Sequence, residues 1–127
     1  MNNPDIKYYN NGQKWYENYR NDNNEYHREN GPAKMYWYKN GQKAYEEYYI
    51  NVKRHRENGP AYICWYNNGQ KEYEIYYING KYHREDGPAF IKWYNNDQKE
   101  YEEYWINDIQ LDKFDIRKLK LEKLKLL

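Results

Sequence analysis

Three histidines, His27, His55 and His83, recur at a constant spacing of 28 residues in a chain of 127, and they are the first side chains to suggest a metal or a proton relay. The spacing argues against both. If each histidine belongs to its own unit of two strands, neighbouring imidazoles lie roughly 9–10 Å apart, whereas the ligands of one zinc sit about 2 Å from the ion. They read instead as turn histidines, each hydrogen-bonded within its own unit. Glu46, Glu74 and Glu102 recur in the same way. General acid–base catalysis needs unlike partners gathered in one pocket, and a translational repeat presents the same surface three times. No catalytic residue, cofactor or metal ligand is therefore expected, and the chain reads as a non-enzyme. Arg28, Arg56 and Arg84 are each followed by a glutamate, Glu29, Glu57 and Glu85, and read first as local ion pairs that could form the polar rim of a protein interface. Trp37, Trp65 and Trp93, beside Tyr38, Tyr66 and Tyr94, form aromatic stripes that could stack on nucleic-acid bases. Residues 1–110, however, hold 15 Lys and Arg against 17 Asp and Glu, too little positive charge for phosphate. The tryptophan stripe reads as core.

Positioning these residues requires a repeat. His-Arg-Glu-Asn/Asp-Gly-Pro-Ala occurs at His27, His55 and His83, followed each time by an apolar residue, Trp-Tyr, an Asn-Gly or Asn-Asp, Gln-Lys and a Tyr-Glu-x-Tyr-Tyr/Trp-Ile-Asn run. The units are 27–54, 55–82 and 83–110, preceded by a half unit at 8–26 whose Asn21–Glu25 stretch has one extra residue and should be irregular. Within a unit, short runs of Tyr, Trp and Ile bounded by Asn-Gly turns predict β-hairpins. Ala61, Ile63 and Trp65 share a buried face by the two-residue alternation, while the residues between them change from copy to copy. Lys71–Ile78 reads as one second strand, and the stretch after Asn79-Gly80 as a lead-in to the next first strand. Translation of units along a meander requires an even number of strands per unit, here two main ones. Asn40-Gly41, Asn68-Gly69 and Asn79-Gly80 suit turns with φ above zero at both central residues, whereas Val52 after Asn51 should make a longer or strained turn.

Composition fits this architecture. Leu, Ile, Val and Phe number only 18, and the mean hydropathy is −1.55, but 19 Tyr, 5 Trp and 2 Phe supply apolar area with polar tips. The net charge is +1, unlike that of a disordered chain. The lone Cys64 excludes a disulfide framework, no apolar run approaches a membrane span, and the start lacks a secretory pattern, so a cytoplasmic location is expected.

The Tyr-x-Asn-Gly-Gln-Lys-x-Tyr-Glu run, the Tyr-Tyr-Ile-Asn-Gly-Lys that follows and the His-Arg-Glu-Asp-Gly-Pro-Ala tag, over roughly residues 8–107, resemble the MORN-repeat variant family of large DNA viruses, phages and AT-rich bacteria. The resemblance implies a mainly β fold, an elongated single-layer antiparallel meander of 28-residue hairpin repeats. It also implies an interaction scaffold, including viral, phage or antitoxin-like inhibitors of a host protein complex. The period and the tag depart from the commoner pattern of that family.

After Asn107 the composition changes. All 6 leucines fall within 111–127, a stretch with six basic and three acidic residues that predicts a basic C-terminal helix capped by Asp112. This helix could cap the last hairpin, dimerise the protein, or touch an acidic partner or membrane. The expected function is a protein-binding module. Tyr38, Tyr66, Tyr94, Arg28, Arg56, Arg84, Lys118, Lys120 and Lys123 are its candidate contacts, with a second copy of the chain as a further partner through the helix or an edge strand. The alternative is nucleic-acid or anionic-membrane binding through the basic helix.

Overall fold

The computed structural model describes residues 3–125. The chain is mainly β and ends in one helix. Eight strands make one antiparallel meander: β1 (Asp5–Tyr8), β2 (Lys14–Asn18), β3 (Lys34–Trp37), β4 (Lys43–Glu47), β7 (Tyr62–Trp65), β8 (Lys71–Ile75), β11 (Phe90–Trp93) and β12 (Lys99–Glu103). Each unit sends two strands into this sheet, and the register repeats: Met35, Ile63 and Ile91 lie opposite Glu46, Glu74 and Glu102 of their own hairpins. The glutamate of one unit then lies opposite the apolar residue of the next, Glu46 against Ile63 and Glu74 against Ile91.

The rest of each unit corrects the sequence-based expectation. The second strand breaks at Tyr48, Tyr76 and Tyr104, and the chain then forms a two-residue hairpin outside the main sheet. These are β5 (Tyr49–Ile50) with β6 (Lys53–Arg54), β9 (Tyr77–Ile78) with β10 (Lys81–Tyr82), and β13 (Trp105–Ile106) with β14 (Ile109–Gln110). The residues after Asn-Gly are thus return strands, not lead-ins. The tally per unit stays even, at four, as translation demands. In the half unit the Asn21–Glu25 stretch forms an ordered turn rather than an irregular one, because Asn21 Oδ1 accepts the N–H groups of Asn23 and Glu25 (2.9 and 3.0 Å).

The turns divide into two kinds. At Asn51-Val52, Asn79-Gly80 and Asn107-Asp108 both central residues have positive φ, so Val52 (φ 69°) holds a left-handed conformation in a turn of unchanged length; the outcome is strain, not a longer loop. At Asn40-Gly41 and Asn68-Gly69 only the glycine is left-handed (φ 88° and 89°). There Tyr38 accepts the Gly41 N–H (3.0 Å) and donates to Gln42 (2.8 Å), giving an ordinary turn followed by a glycine bulge.

The best-buried residues are few. Ala33, Ala61 and Ala89 are fully buried, with Met35, Ile63 and Ile91 beside them. Trp37, Trp65 and Trp93 share that face but are only half-buried. Each lies under a lysine of the preceding unit, Lys14, Lys43 and Lys71, at 5.1, 5.8 and 5.9 Å from the ring, so the expected tryptophan core is instead a lysine-covered stripe.

Helix α1 (Lys113–Lys125) begins as expected, with Asp112 Oδ1 accepting the Asp115 N–H (2.8 Å). Its placement follows the repeat. Leu111 N–H donates to Tyr104 (2.8 Å), as His55 and His83 do to Tyr48 and Tyr76, so the helix starts where a further tag would begin. No helix among the described residues is long and apolar enough to cross a membrane.

Candidate interaction faces

The tag residues work within the fold. Each histidine accepts a backbone N–H on Nδ1, His27 from Asn51 (2.9 Å), His55 from Asn79 (2.9 Å) and His83 from Asn107 (3.1 Å), and thereby holds the turn of its own unit's small hairpin, as the sequence suggested. An Nδ1 acceptor places the neutral ring's proton on Nε2, which at His55 faces Glu57 Oε1 at 2.8 Å. The glutamates of the tags therefore lie beside the histidines rather than pairing with the arginines. Arg28, Arg56 and Arg84 stack on Tyr19, Tyr48 and Tyr76 at 3.9, 4.0 and 4.0 Å, and donate from Nη1 to the carbonyls of Pro32, Pro60 and Pro88 (3.2, 3.1 and 3.1 Å). A side chain on Gly59 would place its Cβ 3.0 Å from the Arg56 guanidinium carbon, so the guanidinium would have to shift on the Tyr48 ring to admit it. Among the described residues no group of three or more His, Cys, Asp or Glu could hold a metal.

Tyr38 and Tyr66 splice units together. Their hydroxyls donate to the carbonyls of Trp65 and Trp93 (2.7 Å each), whereas Tyr94, at the end of the array, is 48 % exposed. On α1, Lys120 lies 5.6 Å from the Tyr104 ring, in the place an arginine takes in the earlier units; Lys118 is exposed and Lys123 half-buried. Among the described side chains of the helix, Phe114 and Leu121 are exposed and Ile116 and Leu119 are half-buried.

The two faces of the sheet differ in how they change along the array. One carries the Ala–Met/Ile–Trp set with a lysine–glutamate pair in every hairpin: Lys14–Glu17 (2.9 Å), Lys43–Glu46 (3.1 Å), Lys71–Glu74 (3.0 Å) and Lys99–Glu102 (2.9 Å). The opposite face carries the variable positions: Lys34, Tyr62 and Phe90, then Tyr36, Cys64 and Lys92, around the constant Tyr45, Tyr73 and Tyr101. Its rings form a nearly continuous stripe. Tyr16–Tyr36, Tyr36–Tyr45 and Tyr45–Tyr62 stack at 5.3, 4.6 and 6.2 Å, and Tyr73–Phe90–Tyr101 continue at 5.6 and 5.8 Å. These rings are half-buried apart from the exposed Tyr101. Midway along lies a depression of about 300 Å³ lined by Arg54, Tyr62, Tyr73, Ile75, Tyr77 and Phe90.

Variation on this face is matched in pairs seven residues apart, across the small hairpin. Glu47 is buried and bonds Arg54 Nε (2.7 Å) and the Tyr49 hydroxyl (2.8 Å). The next unit has Ile75 with Tyr82 at these positions, and the last has Glu103 accepting from Gln110 Nε2 (3.0 Å). At the neighbouring position Cys64 Sγ reaches Glu72 (3.7 Å), where the last unit has Lys92 bonded to Glu100 (2.7 Å). The individual residues of these pairs were visible in the sequence as changes between copies, and the spacing kept from copy to copy, seven residues for the first set and eight for the second, was the signal that could have linked them. Burial pushes the Cys64 thiol up to about 11 and the Tyr49 hydroxyl up to about 12; the hydroxyls of Tyr45, Tyr62 and Tyr77 are raised further, again chiefly by burial. No family model, curated protein or solved structure matches the chain.

Proposed function

We propose that this chain is a non-enzymatic interaction module that binds another protein through the aromatic, variable face of its sheet. The observation that supports this reading is that, within the main sheet, unit-to-unit change is concentrated on one face. Residues that only hold a repeat together are free to be identical, as Ala33, Ala61 and Ala89 are, whereas a surface that fits one partner must differ along its length. Aromatic rings on a rigid sheet lose little conformational freedom on binding, and the depression beside Tyr62 and Phe90 would take one apolar anchor of a partner. A partner covered in this way is blocked without chemistry, which is the inhibitor role the MORN-variant resemblance implies.

The test is photo-crosslinking in the source cell with the full chain. A benzoylphenylalanine at Tyr73, on the variable face, should join one protein stoichiometrically, and the same group at Lys71, on the constant face, should not. The reading is overturned if Lys71 crosslinks that protein equally, or if the only product is nucleic acid or lipid joined from a group placed at Lys118 on the helix.

A further inference from the structure

Every unit but the last spends the same side chains on its successor. The Tyr9, Tyr38 and Tyr66 hydroxyls donate to the carbonyls of Trp37, Trp65 and Trp93 (2.7 Å each). Asn11, Asn40 and Asn68 donate from Nδ2 to Lys39, Asn67 and Asn95 (2.9, 2.9 and 3.1 Å), and Lys14, Lys43 and Lys71 cover the next tryptophan. Backbone follows suit: Tyr19, Tyr48 and Tyr76 N–H groups donate to Ala33, Ala61 and Ala89 (2.7 Å each). In the last unit the equivalents are the Tyr94 hydroxyl, Asn96 Nδ2, Lys99 and the Tyr104 N–H. None of these has such a recipient among the described residues.

The opposite edge of the sheet carries the recipients. In β1, Tyr8 lies opposite Lys14 as Trp37 lies opposite Lys43, and Ile6 lies opposite Glu17 as Met35 lies opposite Glu46. The carbonyls of Tyr8 and Asn10, and the Tyr8 ring, 60 % exposed, stand where Trp37 and Lys39 stand one unit on. Lys99, Tyr101 and Glu102 of β12 are exposed, so among the described residues α1, seated beside Tyr104, does not cover that strand edge.

We infer that the chain self-associates head to tail, β12 of one copy pairing with β1 of the next in the register that joins β8 to β11 inside the chain. This surface is separate from the variable face. The occupant is a second copy because the unit-to-unit contact already present three times within the chain is presented as two complementary halves at its ends. Such a contact is heterologous and does not close, so copies add without limit. One pair opposes it: in this register Glu103 faces Asp5, two carboxylates, where Ile75 faces Phe90 inside the chain.

Sedimentation velocity of the full chain, from micromolar to millimolar, should show the mass rising from the 16.0 kDa monomer past the dimer. The alternation of the ladder directs the N–H groups of Ile6 and Glu102 outward, so Ile6→Pro and Glu102→Pro each remove only an edge donor. Each variant alone keeps one intact edge, but every copy in a pure sample lacks the complement of that edge, so each is expected to be monomeric. Mixed, the two should form a 1:1 dimer and nothing larger. Two variants independent of proline check the register: Tyr94→Phe should weaken association about 3- to 10-fold, and Asp5→Lys should tighten it. A constant monomer mass for the wild type, dimerisation of a single proline variant, or weaker association of Asp5→Lys overturns the inference.

Discussion

On one face of the sheet the central unit presents Ala61, Ile63 and Trp65 with Lys71 and Glu74, and its neighbours present nearly the same set; on the other it presents Tyr62, Cys64 and Ile75, and neither neighbour repeats any of the three. Both faces are well covered, Ile63 and Cys64 each being 7 % exposed. Burial alone therefore does not explain the difference. On the constant face one side chain serves its own unit and the next, as Lys43 reaches Glu46 in its own hairpin and Trp65 one unit on, so a change in one unit must be accepted by the next. On the variable face rings also meet across units, as Tyr45 meets Tyr62, but the polar partner of a changed residue lies within its own unit, as Glu47 has Arg54 and Cys64 has Glu72, so its polar contacts can change unit by unit.

The largest effect separates adjacent residues. Ile63→Lys buries an ammonium on the constant face with its neighbouring glutamates already paired, and should abolish the cooperative fold, a loss of more than about 4 kcal/mol. Cys64→Lys places the same group on the other face, where Glu72 stands as Glu100 stands beside Lys92, and should cost less than about 1 kcal/mol. Urea unfolding of the two variants measures the contrast, and equal losses would break it.

The alkaline limit should also belong to the variable face. Cys64, raised to about 11, and Tyr49, raised to about 12, both lie there or beside it. A native value above the unfolded one means the stabilisation is complete below the unfolded values, about 8.5 and 10, and is lost as the pH rises through the native ones. Stability should hold to about pH 8.5 and fall steadily above it. Alkylation of Cys64 at pH 8.5 should follow global unfolding rather than precede it.

How much of this could be read beforehand follows the same division. The repeat, the Ala–Ile face, the Asp112 cap and the histidine bonded within its unit were legible because each rests on local pattern or on a spacing repeated three times. The small hairpins were not: two residues such as Tyr49–Ile50 carry no periodicity, and their separation from β4 depends on a break at Tyr48 that has no sequence mark. The arginines were misread because sequence adjacency favoured Glu29, while the ring that Arg28 stacks on, Tyr19, lies nine residues back. The face that changes looked like mere divergence until its partners could be placed.

Pairwise compensation can be sharpened by a cycle. Glu47→Ala leaves Arg54, Tyr49 and Lys34 without their shared acceptor and should cost about 2 kcal/mol, discounted because the Arg54 side chain is 40 % exposed. Replacing the pair together, Glu47→Ile with Arg54→Tyr, copies the Ile75–Tyr82 arrangement and should recover most of that loss. Thermal unfolding of both variants and of the two single replacements gives the coupling, and a purely additive double variant would show that units do not compensate internally.

The smallest effect concerns a change that has no partner. Val52 occupies a left-handed position that the next unit gives to Gly80, and its side chain is half-exposed, so nothing packed around it offsets the strain of a β-branched residue at φ 69°. Val52→Gly should stabilise the protein by about 1 kcal/mol, the relief of strain outweighing the added freedom of the unfolded chain, and Gly80→Val should destabilise it by a similar amount. The two shifts in melting temperature should be opposite in sign and nearly equal in size, because both turns have the same length and the same backbone. If Val52→Gly is instead neutral, the turn relaxes around valine, and the variation at this position is tolerated without a partner, unlike that at Glu47 and Cys64.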